Sequence, residues 1–195
     1  VVTASQNYIQ SNQFGMREIL GNVISDKALP PGLYFNIPFI QWTHSYQSNT
    51  QSISLNAGSG RFVKIPSSTE DQNTLTAEIT LQYKVAQDIG KLSLYRWAMD
   101  GMFGVPDGYW LLTARMNESV NAVLGRRPMA ETLSNPQRFI TELTADLQLR
   151  FQQNNIPVII ESLEVHKFGT SLLRLPQVVT YQVVRPSQGK TAQSS

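Results

Sequence analysis

The sequence predicts an α+β domain, and three observations carry that prediction. The first half is made of short apolar stretches punctuated by Gly and Pro. Residues 75–85 alternate apolar and polar without error. The spacing then turns helical before a closing stretch, "IPVIIESLEVHKF", returns to β character. Strands followed by helices and a final strand fit a sheet covered by helices on one side.

In chain order, "NYIQSNQFGMREILGNVIS" predicts strand, a turn near Gly15 or Gly21, and more strand. "LPPG" (29–32) predicts a turn, with Pro setting φ and Gly supplying a permissive position. "PPGLYFNIPFIQW" (30–42) then reads as one strand with apolar residues on both faces. Leu33, Phe35, Ile37 and Phe39 would point one way, and Tyr34, Pro38, Ile40 and Trp42 the other, with only Asn36 polar between them. A half-buried strand should alternate, so this stretch raises the question of what covers its second face.

"QSISLNAGSG" predicts a strand with Ile53 and Leu55 inward, ending in a turn. "RFVKIP" and "TLTAEITLQYKVA" predict a hairpin joined by the long loop "SSTEDQN". In the second arm Leu75, Ala77, Ile79, Leu81, Tyr83 and Val85 alternate with polar residues, giving one buried and one wet face. Asp107 is placed to cap a helix running to about Leu124, with Leu112, Met116, Val120, Val123 and Leu124 as its apolar stripe and Gly125 as its stop. "PMAETLS" predicts a short helical turn. Asn135-Pro136 is a cap-plus-N1 pair opening a helix to about Gln153, with Ile140, Leu143, Leu147 and Phe151 on its apolar side. "RPSQGKTAQSS" predicts a disordered tail.

Composition bounds the function. The chain of 195 residues carries a net charge of +2, and its small basic excess (Lys167, Arg174, Arg185, Lys190) falls near the end. A nucleic-acid binder would concentrate a basic face, so no nucleic-acid partner is expected. Cysteine is absent, which excludes disulfides, thiolate metal sites and a Cys nucleophile. His44 and His166 are the only histidines, without a second ligand at metal spacing, so no metal or cofactor is predicted. Glu161 and Glu164 would lie on opposite faces of a regular strand and so would not cooperate as acid and base. "AGSG" (57–60) reads as a turn, and the arginines of "GRRP" (125–128) as solvated or dipole partners at a helix end. Nothing in the sequence supports catalysis. No apolar run approaches the roughly 18 residues of a spanning helix. A second apolar cluster, "AMDGMFGVPDGYW" (98–110), places Met102, Phe103, Val105, Tyr109 and Trp110 in a Gly/Pro-rich connection, as core or as a protein-contact loop.

In order, "FGMREILGNVISDKALPPGLYFNIPFIQ", "LTAEITLQYKV", "SVNAVLGRRPMAETLSNPQRFITELTADLQLRFQQNNIPVIIESLEV" and "RLP" (174–176) resemble the SPFH or band 7 domain of stomatins, prohibitins and flotillins, over roughly residues 8–176. The chain departs from that pattern at Asn121, where a basic residue is common, and at Asn155, where Gly is usual. It also shows no heptad run of the coiled coil that usually follows. The resemblance implies a β-rich N-terminal subdomain (1–60), an α+β subdomain of antiparallel strands packed with helices (61–176), and a C-terminal extension (177–195). It further implies a non-enzymatic scaffold, anchored in a membrane from outside this fragment. Such a scaffold assembles with like or related SPFH subunits and organises lipid microdomains or a membrane protease, channel or transporter. On this reading Leu33, Tyr34, Phe35, Ile37, Pro38, Phe39, Ile40 and Trp42 are expected to meet lipid, since Trp and Tyr join an apolar body to a polar handle. The alternative is a soluble interaction module that keeps the fold without the membrane.

Overall fold

The computed structural model describes residues 5–56, 75–100, 105–126 and 129–170. The strands are β1 (Ser5–Ile9), β2 (Gln13–Ile19), β3 (Asn22–Val23), β4 (Gly32–Asn36), β5 (Gln41–Gln47), β6 (Gln51–Asn56) and β7 (Leu75–Val85). Helices α1 (Ile89–Met99), α2 (Tyr109–Leu124), α3 (Met129–Ser134) and α4 (Pro136–Gln153) follow, and β8 (Val158–Thr170) closes the order. This is the α+β arrangement the sequence predicts. Three antiparallel sheets form: β1 with β4, β3-β2-β5, and β6-β7-β8.

The predicted turn falls at Gly21 and not at Gly15, and a further turn, which the sequence does not predict, precedes β2. β1 leaves at Gln10 and the chain re-enters at Gln13, whose amide donates to the Gln10 carbonyl at 3.0 Å. Gly15 lies inside β2 because the Ile9 side chain crosses it, with a methyl where a Cβ would stand only 2.3 Å away. Gly21 does turn, together with Leu20, between β2 and β3.

β7 pairs with β6 and β8. The expected hairpin arm "RFVKIP", the "AGSG" turn, Met102, Phe103, "RLP" and the tail lie outside the described residues. Ile79, Leu81, Tyr83 and Val85 are buried as the alternation requires. Both predicted helical stripes are buried throughout: Leu112, Met116, Val120, Val123 and Leu124 on α2, and Ile140, Leu143, Leu147 and Phe151 on α4. The Asn135 side chain accepts the Arg138 amide, and Pro136 opens α4. Asn155 takes the left-handed conformation that glycine would favour there, with φ of 53°. Arg126 is not merely solvated: it pairs with Asp146 of α4 at 2.9 Å.

Three sequence readings are corrected. Ile89–Met99 form α1, an element the sequence analysis does not predict; Asp88 caps it by accepting the Lys91 amide. Asp107 does not cap α2. Gly108 does, at φ 75°, without a side-chain hydrogen bond. Glu161 and Glu164 share a face, because a register shift at Gln82/Tyr83 leaves Glu161 out of the β7–β8 pairing. Glu161 meets Lys84 at 2.7 Å and Glu164 meets Gln82 at 3.3 Å, and Lys84 and Gln82 sit two apart on β7.

One hydrophobic core runs through the described chain. Phe14 and Met16 of β2 and Tyr46 of β5 join Leu81, Leu112, Leu143 and Leu163 in it. Burying each such side chain contributes roughly 1.5–3 kcal/mol.

Candidate functional site

The stretch from residue 30 to 42 is not one strand. β4 ends at Asn36, the chain turns through 37–40, and β5 starts at Gln41. The Gln41 amide closes the turn on the Ile37 carbonyl at 2.9 Å. The question of which face is core therefore has an unexpected answer: neither apolar set is. Leu33, Phe35, Ile37, Phe39, Ile40 and Trp42 are all exposed, and Tyr34 and Pro38 are half-buried.

What is buried instead is polar. Asn36 and Gln41 point inward, with Asn36 Oδ1 accepting from the Thr43 hydroxyl at 2.8 Å and Gln41 Oε1 accepting the Ile37 amide at 3.3 Å. Asn7 of β1 donates to the Thr43 carbonyl at 2.9 Å. The reversal from β4 to β5 is a hairpin in chain path only, since β4 pairs with β1 and β5 with β2, and it is inverted, with hydrogen-bonded amides beneath and apolar side chains facing out. Buried amides are tolerable only when so paired.

Its two most prominent apolar residues sit on strained backbone. Phe39 is 91% exposed at φ 65°, and Leu20 is 67% exposed at φ 48° in the β2–β3 turn. Left-handed conformation costs an L-residue roughly 1–2 kcal/mol, and Asn or Gly would fill such turns without it. Of the three non-glycine residues with positive φ among the described residues, these two are adjoining: the Leu20 amide donates to the Ile40 carbonyl at 2.8 Å. Tyr8, opposite Leu33 on β1, extends the exposed apolar set. Arg17 lies over the Tyr34 ring at 5.4 Å, placing a cation at its edge.

Beneath β5 runs a polar cluster, buried at Glu18 and His44 and half-buried at Arg96 and Asp100, that the sequence analysis does not predict. Glu18 of β2 meets Arg96 Nε at 2.8 Å and His44 Nε2 at 3.2 Å, and His44 Nδ1 lies 3.9 Å from Asp100. His44 also meets the edge of Trp97 on α1, ring centres 5.1 Å apart. At the other end of β5, buried Asp107 accepts the Gln47 amide at 2.6 Å and the Gln51 side chain at 3.1 Å. Burial pushes the Asp107 carboxyl up, against the pull of those two hydrogen bonds. Burial likewise raises the phenols of Tyr46 and Tyr83, with nearby carboxylates adding to it.

The described members of the second predicted cluster divide between core and surface. Val105 is half-buried, Tyr109 packs against the core, and Trp110 is exposed with its ring edge-on to Tyr109. Exposed Trp97, Leu94, Leu20 and Tyr8 were missed by sequence reasoning. For Trp97 and Leu94 a signal existed: Asp88 followed by Ile89, Leu92 and Met99 is a capped helix whose other face they occupy.

Among the described residues, no three His, Asp or Glu are grouped to hold a metal ion, and no helix is long and apolar enough to cross a membrane. No curated protein matches the chain closely. A family model, SPFH domain / Band 7 family, matches residues 8–171, a span that holds the inverted hairpin, the shared core and the final strand. The chain belongs to the SPFH domain / Band 7 family.

Proposed function

We propose that this domain is a non-enzymatic scaffold that rests the inverted hairpin on the interface of a lipid bilayer while its α+β part packs against neighbouring subunits. Proteins of the family are in general membrane-associated, oligomeric and without catalytic activity. The observation that carries the reading is the pair Leu20 and Phe39. Two large apolar side chains are held out at adjoining turn apices on strained backbone, above buried amides. Strain of that kind persists where it serves a role.

On this proposal residues 1–60 form the bilayer-facing subdomain and 61–176 the subdomain that meets other SPFH-type subunits. On the same proposal a membrane anchor other than these side chains supplies most of the attachment. Multiplication of weak hairpin contacts in an oligomer strengthens it through avidity. A membrane protease, channel or transporter is the class of client such a scaffold would organise.

The test is co-sedimentation with phospholipid vesicles of the wild type and of Phe39→Glu/Ile40→Glu. Both side chains are exposed, so far-UV circular dichroism should not change. Membrane partitioning should fall by at least about tenfold, since each apolar side chain withdrawn forfeits roughly 1.5–3 kcal/mol. Unchanged partitioning of the folded variant would sink the bilayer reading and leave the soluble interaction module.

A further inference from the structure

We infer that the lipid-facing surface does not end at the hairpin but continues onto α1, so that Trp97 enters the interface of an anionic phospholipid bilayer together with Trp42. This rests on the reading of the hairpin given under Proposed function and extends it to an element that shares no strand with it.

Three contacts join α1 to β5 and to β2 beside it. Trp42 and His44 share a face of β5, being two residues apart, and His44 meets the edge of Trp97 at 5.1 Å. Arg96, beside Trp97, pairs with Glu18, the residue opposite Trp42 in the β2–β5 ladder. The same guanidinium donates at 3.3 Å to the carbonyl of Gly21, next to Leu20 at the turn apex. Leu20, Phe39, Ile40, Trp42 and Trp97 therefore lie along one exposed ridge, and Leu94 is on the same helix one turn before Trp97.

The charges around the ridge select a bilayer over a protein pocket. Residues 28–56 contain no Lys, Arg, Asp or Glu. Glu18, opposite Trp42, is 3% exposed and paired with Arg96. Asp100, three residues beyond Trp97, is half-buried against His44, and the Arg17 cation stands on the other face of β2, over Tyr34. A surface with aromatic side chains, a charge-free run of residues 28–56 and a cation beside its Tyr34 complements apolar chains below anionic headgroups. The polar cluster of Glu18, Arg96 and His44 acts as its mount, because it ties the β2–β5 sheet to the helix that carries Trp97.

The three tryptophans of the chain supply the experiment. Asp107, three residues before Trp110, is anchored on Gln47, about 17 Å along β5 from Trp42. Single-tryptophan variants, made by Trp→Phe at the other two positions, are mixed with phosphatidylcholine/phosphatidylserine vesicles containing brominated acyl chains. Emission should be lost for Trp42 and for Trp97 and unaltered for Trp110. As a second measurement, Trp97→Ser, an exposed site, should lower partitioning of the full chain by about tenfold. Quenching of Trp42 without Trp97 would overturn the extension onto α1 and leave the hairpin reading standing. Quenching of neither, or of Trp97 or Trp110 alone, would overturn both.

Discussion

Asp107 shows what a single residue does when its neighbours change its task. By spacing it reads as the cap of α2, one position before the residue that caps it. The fold instead turns its carboxylate onto Gln47 and Gln51, where it satisfies two donors at the base of β5. Burial is the main cause of its raised pKa, so the folded state holds the Asp107 proton more tightly than the unfolded chain does. The sign follows: its contribution to folding is fully present at acid pH and is lost as pH rises through the folded value. Asp107→Asn keeps an acceptor without the charge, so its stability relative to wild type should rise between about pH 4 and neutrality. Asp107→Ala strands both donors and should cost about 1–3 kcal/mol at either pH. Urea unfolding at the two pH values measures both; a relative stability of Asp107→Asn that fell with pH would refute the assignment.

At the scale of elements, the helices whose apolar stripes are strictly periodic emerged as predicted, and the helix whose stripe is interrupted did not. α2 and α4 each bury every residue of their predicted stripes. α1 buries only Ile89, Leu92 and Met99 while exposing Leu94 and Trp97, so its two faces are poorly separated in sequence. Its junction with α2 depends on Gly108. That residue holds φ at 75°, and a Cβ there would stand 2.7 Å from Met99 Sδ and 3.1 Å from its terminal methyl. Gly108→Ala should therefore lower stability by about 1–2 kcal/mol from backbone conformation alone, with displacement of Met99 in addition. A urea midpoint unchanged by the substitution would mean that α2 can start in another way.

Across the whole molecule, the β-rich and α+β parts share one core. Phe14, Met16 and Tyr46 pack in the same cluster as the helices and β7, and the Glu18–Arg96 pair fastens β2 to α1. Neither part buries its own apolar surface without the other, so the described chain should unfold as a unit. Tryptophan fluorescence and far-UV circular dichroism should report coincident urea transitions. Two separated transitions would show that β1–β5 and the part from β6 onward are separate units of stability.

By itself the sequence determined the α+β class, the long alternating strand, the apolar stripes of α2 and α4, the N-cap of α4, and the SPFH family, because each is written in local spacing or an ordered set of motifs. It also marked residues 33–42 as anomalous. Only the tertiary structure decided that this stretch is a hairpin with both apolar sets facing out. The reason is physical: Phe39 adopts a left-handed turn against its own preference, and Asn36, Gln41, His44 and Glu18 are buried because Thr43, Ile37, Arg96 and Asp100 answer them. Those partners are up to 78 positions apart, Glu18 to Arg96. Inside and outside here are set by long-range pairing, which no local period records.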